Sequence, residues 1–349
     1  MRAARSGLIR NASVLLALSF ALASCARTGP TTLTISGDSK ANIAEAQTGQ
    51  HGAIRVLSWN ISKDSPVRDP EAFKAVVASS HANILLLDEV KPTVTEQQIR
   101  DALPEPDDAH GRWHISYGSS GGHQRDVIVS RMPLEPVAEF QGILPYPEAS
   151  LREIQDGMAE AGFEHPGRST EIGIAVNGAI VRSGSRRLLA VSLDLECCGS
   201  LPIGWEEQKR RIEVREIRRL IRAVLNRTRV DGVIVGGDFN LVMTGLPLVI
   251  LSGPYPAPHG GLIAAELMHV DSDRTWTWDG RGTPFPSRAL DFLFYSPGSL
   301  SLDSGYILDT EDFSPAELQH WGLAPESSST LSDHRPLVAG FSWTGTSTN

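Results

Sequence analysis

Several stretches of the chain set charge-bearing or amide side chains directly beside short apolar runs. The clearest is Gly232 to Asn240, Gly-Val-Ile-Val-Gly-Gly-Asp-Phe-Asn. Its β-branched run, Val233 to Val235, is long enough to cross a sheet and too short for a helix. Gly236 and Gly237 are expected to free the backbone for a sharp turn with no Cβ to crowd a ligand. Asp238 then offers a carboxylate that accepts a proton or orients a water, and Asn240 an amide that donates to an oxyanion. An Asx turn after a strand would use the same residues for local structure only. The pattern recurs. Ile54 to Trp59 alternates as a strand and ends at Asn60, and Asn83 to Leu87 ends in Asp88-Glu89. Ala289 to Tyr295 carries Asp291, and Ser332-Asp333-His334-Arg335 precedes a last strand, Pro336 to Phe341. A charge beside a buried strand is costly unless it is paired or binds a metal. Carboxylates and amides without clustered cysteine or extra histidine suit a hard cation, Mg²⁺ or Mn²⁺, rather than zinc.

The elements that must hold these groups alternate between strand and helix, which predicts an α/β fold. Pro70 opens a helix with Phe73, Val76 and Val77 on one face. Trp205 to Leu225 is the strongest helical pattern, with Val214, Ile217, Ile221 and Val224 at helical spacing and Glu206/Arg210 and Glu207/Arg211 four apart. Its arginines read as a solvated outer face rather than a phosphate-binding patch. Further strands are expected at 113–117, 127–130, 172–176 and 188–193. Residues 141–170 have no clear period and read as a long surface excursion, and 246–261 as a Pro/Gly-rich loop. The polar residues of interest run from Asn60 to His334, so two domains would divide them. One catalytic domain over 52–345 is expected.

The chain of 349 residues is 41% hydrophobic and 21% charged, an ordinary globular composition. Its net charge of −9 becomes 29 − 41 = −12 without residues 1–24, which hold Arg2, Arg5 and Arg10 and no acid. This argues against a protein that grips nucleic acid through bulk positive charge, though not against a metal-bearing cleft. The three arginines precede an apolar run, Ala12 to Ala23, of signal-peptide length. The run ends in Leu22-Ala23-Ser24-Cys25, which resembles the lipobox of bacterial lipoproteins. Residues 1–25 are therefore expected to be a lipoprotein signal with Cys25 lipidated, and 26–51 a flexible tether. The body would face the periplasm or cell exterior, attached to a membrane by its lipid, most simply as a monomer. Cys197 and Cys198 then remain, as a strained vicinal disulfide or as two adjacent thiols.

Taken together and in order, Ser-Trp-Asn60-Ile, Leu-Leu-Asp-Glu89-Val, Gly-Gly-Asp238-Phe-Asn240, Leu-Asp291-Phe and Ser-Asp333-His334-Arg-Pro resemble the endonuclease/exonuclease/phosphatase superfamily over nearly the whole body. The resemblance implies a four-layer αββα sandwich of two packed mixed β-sheets flanked by helices. It also implies Mg²⁺-dependent hydrolysis of a phosphoester in nucleic acid, a lipid head group or a small molecule. By position, Glu89 would ligate the metal with Asn60 beside it, and Asp333 would touch it. Asp238 would activate the attacking water and Asn240 would donate to the phosphoryl oxygens. His334 would bind or protonate the phosphate, with Asp291 fixing its tautomer. Arg131 and Trp276 match substrate-side positions loosely. One residue departs from the pattern: Asp194 stands where the family usually places a second histidine. That leaves two further readings, a catalytically impaired module that binds a phosphate ligand on the same fold, and a phosphatase- or sphingomyelinase-like enzyme of lipid head groups. Loops 118–125, 141–170 and 246–288 would set specificity and carry no readable code.

Overall fold

In a computed structural model of the protein, residues 54–105, 111–253 and 261–345 are described. The expected signal, Cys25 and the tether lie outside them. Twelve strands follow in order: β1 (Ile54–Lys63), β2 (Ile84–Val90), β3 (His114–Tyr117), β4 (Arg125–Ser130), β5 (Leu134–Pro136), β6 (Val176–Ser183), β7 (Arg186–Asp194), β8 (Gly232–Asp238), β9 (Ile263–Ala264), β10 (Asp291–Tyr295), β11 (Leu300–Ile307) and β12 (Leu337–Trp343). They form two six-stranded sheets, ordered β11-β12-β1-β2-β4-β3 and β5-β6-β7-β8-β10-β9. Each sheet is antiparallel except for one central parallel pair, β1 with β2 and β7 with β8. The two sheets pack face to face with helices outside, the four-layer sandwich expected.

Side-chain alternation divides the apolar residues into three sets. Ile54, Val56, Ile84, Leu86 and Ile128 from one sheet pack against Ala179, Val181, Leu188, Ala190, Ile234 and Leu293 from the other. The opposite parity on the first sheet, Leu57, Trp59, Leu85 and Leu87, faces Phe73, Val76 and Val77 of the Pro70–Ser80 helix. On the second sheet, Leu189, Val191, Val233 and Val235 meet Ile217, Ile221 and Val224 of the Trp205–Arg227 helix.

Four sequence expectations are corrected. Residues 141–170 are not an open excursion: Glu148–Glu160 is a helix that buries Ile154 and Met158. Its two anchors are four apart, too few to stand out among Pro and Gly. The strand expected at 172–176 starts only at Val176, because Pro166–Glu171 is helical and Gly173 turns the chain at φ +77. Residues 246–252 form a short helix that starts at Leu246-Pro247, where proline's missing N–H costs nothing. Gly236 and Gly237 do not turn the chain either. They lie inside β8, where a Cβ on Gly236 would come within 2.6 Å of the Ser58 hydroxyl and one on Gly237 would overlap the Leu193 carbonyl. Glycine here lets the two sheets, and β7 and β8, close up beneath the strand ends.

Candidate active site

The parity that places Ile54 and Val56 between the sheets also places Ser58 and Asn60 there. The same count puts Asp88 after Ile84 and Leu86, Asp126 before Ile128, Asp194 after Ala190, Asp238 after Ile234 and Asp291 before Leu293. The parallel pairs set the polar residues level with one another: Asn60 opposite Asp88, Asp194 opposite Asp238, and Asp291 opposite Asp238 from the antiparallel side. The apolar interior of the sandwich thus ends in a polar floor and a polar mouth at one end. Glu89 has the wrong parity for this compartment. A register shift between Leu87 and Val90, with Glu89 at φ +55, breaks the alternation and leaves its side chain half-buried.

At the centre, His334 Nδ1 donates to Asp291 Oδ2 at 2.8 Å, and its Nε2 lies 3.7 Å from Asp238 Oδ2. Asp238 Oδ2 also accepts from Asn60 Nδ2 at 3.3 Å, and its Oδ1 from the Asn240 backbone N–H at 2.8 Å. All these residues are buried. Burial would lower the His334 pKa, but the carboxylates of Asp291, Asp238 and Asp333 outweigh it and hold the imidazole up to about 10. Burial, and then the neighbouring Asp291, push Asp238 up to about 7, while His334 and the Asn240 amide pull it back. Asp291 is fixed from behind, since Thr277 Oγ1 accepts from the backbone N–H groups of Leu290 and Asp291 at 3.0 and 2.9 Å. Ser332 holds the histidine's segment to β1: its hydroxyl donates to the Asn60 carbonyl at 2.7 Å and accepts from the His334 N–H at 3.0 Å. Trp59 Nε1 adds a bond to the His334 carbonyl at 3.0 Å.

The other expected residues fall around this centre. Asn240, at φ +50, gives its side-chain amide to the Leu195 carbonyl at 2.8 Å and to Asp194 Oδ1 at 3.3 Å. Both of its hydrogens are therefore engaged, and a phosphoryl oxygen would have to displace Asp194 to receive one. Asp333 is exposed at the rim, where Ser62 Oγ and Trp278 Nε1 donate to its two oxygens at 2.8 and 2.9 Å. These donors and His334 outweigh its burial and lower its pKa. Burial, Asp238 and Glu89 raise that of Asp194 well above the usual carboxylate range. Arg131 is elsewhere: it follows the end of β4 that pairs with Ile84, at the far end of the sheet, and stacks on Trp113. Trp276 lies against His269 and near the guanidinium groups of Arg274, Arg281 and Arg335.

The Trp205–Arg227 helix also supports the site, which its arginines did not suggest. Arg210 is not solvated but fully buried. It pairs with the equally buried Glu207 at 3.0 Å and donates to the carbonyls of Glu196 and Cys198 at 2.8 and 2.9 Å. Lys209 bonds Glu196, and Tyr146 donates to Glu213 at 2.6 Å. The segment that leaves Asp194 is thus clamped from beneath. Cys197 and Cys198 in it are exposed free thiols with sulfurs 2.8 Å apart, and burial and Cys198 raise the pKa of Cys197. Thr277, Ser62 and Asp126, and the bonding role of Ser332, were not foreseen from the sequence. Only Asp126 had a signal, its parity with Ile128; Thr277 and Ser332 act through backbone contacts, and Ser62 through a hydroxyl bond to Asp333, that no spacing encodes.

Two parallel pairs, one per sheet, that converge on buried carboxylates, an amide and an Asp–His pair define an α/β phosphoesterase sandwich. The model of the Endonuclease/Exonuclease/phosphatase family matches residues 57–334, and the chain belongs to that family, an enzyme hydrolysing phosphoester bonds. Among solved structures it is similar to the endonuclease/exonuclease/phosphatase from Bacteroides vulgatus, at 17% identity and a TM-score of 0.53, over 83% of this chain and 98% of that one. It is also similar to truncated Caenorhabditis elegans TDP2, at 17% identity and a TM-score of 0.52, over 82% and 97%. Among curated proteins, none matches the chain significantly.

Proposed function

We propose that the protein is a Mg²⁺- or Mn²⁺-dependent phosphodiesterase, endonuclease-like in mechanism, held at a membrane by a lipid on Cys25. The observation that carries the catalytic reading is the buried line Asp291–His334–Asp238 where the two sheets end together. The residues present fit a hard cation. Asp291 Oδ1 is buried with no hydrogen-bond partner, and Asp291 and Glu89 both press their charge on Asp238, more than the one imidazolium of His334 offsets. Glu89, Asn60 and Asp333 would hold the ion, which when bound polarises the phosphoryl group and neutralises the leaving oxygen.

The chain's own groups supply the rest. Asp238 takes the proton of a water and aims it at phosphorus, and a pKa near 7 suits a general base. Burial and the Asn60 and Asn240 bonds fix its two oxygens for that task. His334, kept protonated by Asp291, donates from Nε2 to a phosphoryl or leaving oxygen as charge builds there. Asn240 donates to the same oxygens when its hydrogen is released by Asp194. The substrate is a phosphoester in nucleic acid, a lipid head group or a small molecule. The decisive experiment offers each class (plasmid DNA, a chromogenic phosphodiester, sphingomyelin, inositol phosphates) with Mg²⁺ and with chelator. Turnover that requires Mg²⁺ and is lost in Asp238→Asn supports the reading. Turnover of every cleaved substrate that is indifferent to chelator overturns it.

A further inference from the structure

Beneath the mouth lies an anomaly that the proposed mechanism does not use. Asp88 and Asp126 are fully buried, and none of their four carboxylate oxygens has a hydrogen-bond partner. Both side chains point between the sheets, by the parity they share with Leu86 and Ile128. Across the gap, the Ser192 hydroxyl donates to the Leu87 carbonyl at 3.3 Å, which sets Asp194, two residues on, against Asp88, one residue on. Asp88 feels the charges of Asp194, Asp291, Asp238 and Asp126, and Asp126 lies near the Ser192 hydroxyl. Asp194 has only the Asn240 amide at 3.3 Å, and Asp126 feels Arg125 at longer range, but among the described residues none of the three acids lies within ion-pair distance of a Lys or Arg. Buried carboxylates with so little compensation are among the costliest arrangements in a protein.

We infer that Asp88, Asp126 and Asp194 form a second cation site below the mouth, with the Ser192 hydroxyl as a neutral oxygen donor. An all-oxygen set of carboxylates and a hydroxyl selects a hard divalent cation such as Mn²⁺, Mg²⁺ or Ca²⁺. Such an ion satisfies the four orphan oxygens at once and gives the departure at Asp194 a purpose. Among the described residues, the possible metal ligands that converge within 4.8 Å are Asp238, Asp291 and His334, and at a separate place His269, Asp271 and Asp312. The three floor carboxylates are more widely spread than these, and a bound cation would draw them together. The His269 group is no competitor, because Asp312 and the Trp276 carbonyl occupy its two ring nitrogens at 2.7 and 3.0 Å. The floor site joins the mouth through Asp194, whose Oδ1 accepts from Asn240. An ion there withdraws Asp194 from that amide and frees an N–H for the phosphoryl group.

Equilibrium dialysis against Mn²⁺ tests the site without any assay of turnover. The full chain should bind two ions, Glu89→Gln one and Asp126→Asn one, while the double variant should bind none. Mn²⁺ should raise the melting temperature of Glu89→Gln and leave that of the double variant unchanged. Asp88→Asn serves as the second floor variant, so that a folding defect in one does not decide the matter. A full chain that binds a single ion, lost in Glu89→Gln and kept in both floor variants, overturns the inference and assigns the floor acids as buried neutral carboxyls. That outcome would leave the phosphodiesterase reading standing.

Discussion

Asp291 and His334 come from opposite sheets, and their bond, Nδ1 to Oδ2 at 2.8 Å, ties the start of β10 to the segment before β12. The tie leaves Nε2 facing Asp238 at 3.7 Å. The pair therefore couples the closure of the sandwich to the charge state of His334.

That coupling gives a pH profile. The rate should rise as Asp238 ionises through about 7 and fall as His334 loses its proton near 10. A bound cation shifts the lower limb to more acidic pH, because it favours the ionised carboxylate. In Asp291→Asn the upper limb should move down toward the ordinary histidine value of about 6.5. A profile of kcat/KM from pH 5 to 11 checks both, and an unmoved upper limb would remove Asp291 from the argument.

The same shift has a stability consequence. A histidine whose folded pKa lies above its unfolded value stabilises the protein fully below about 6.5 and loses that contribution as pH rises toward 10. Asp238, also raised, favours the fold below its unfolded value and stops doing so by about 7. Chelated protein should thus melt at progressively lower temperature from pH 4 to 10. Asp291→Asn should flatten the alkaline part of that slope.

Metal ligation and water activation separate by mutation. Glu89→Gln should raise the Mg²⁺ needed for half-maximal rate at least about tenfold, as ligand loss usually does. Asp238→Asn should abolish turnover, a loss of about 100-fold or more for a general base, and still bind Mn²⁺. Comparable metal affinity in wild type and Glu89→Gln would contradict the assignment.

Asp194 is the position to vary in three ways. If it holds a cation, Asp194→Ala should weaken activity or raise the metal requirement. If it only occupies the Asn240 amide, Ala should free that donor and raise the rate. Asp194→His, which restores the side chain usual in the family, would raise the rate strongly only in an impaired enzyme.

Arg210 is a structural prediction. Without Arg210, Glu207 keeps Arg211 and Thr244, but the Glu196 and Cys198 carbonyls lose their donor, so Arg210→Ala should cost about 1–3 kcal/mol. Urea denaturation at fixed pH measures it. The membrane prediction is independent: Cys25→Ser should move the protein from the membrane to the soluble periplasmic or secreted fraction.

The sequence determined the strands that carry the site and the chemistry beside them. Short β-branched runs can only cross a sheet, and Asn60, Glu89, Asp238, Asp291 and His334 stood at their margins whatever the sheets did. It also determined the long helix, because Val214, Ile217, Ile221 and Val224 repeat at 3.6 residues. Tertiary structure alone decided how those ends meet. Alternation says that Asn60 and Asp88 share a parity with their apolar neighbours, but not that the parity faces a second sheet. Packing against Ala190 and Ile234 makes that face an interior and turns Asp88 and Asp126 from surface acids into buried ones. The Glu148–Glu160 helix and the burial of Arg210 were likewise decided by packing. A helix with two buried residues in thirteen leaves almost no periodic trace, and an arginine's surroundings are set by the partners brought to it, Glu207 and the Glu196 and Cys198 carbonyls.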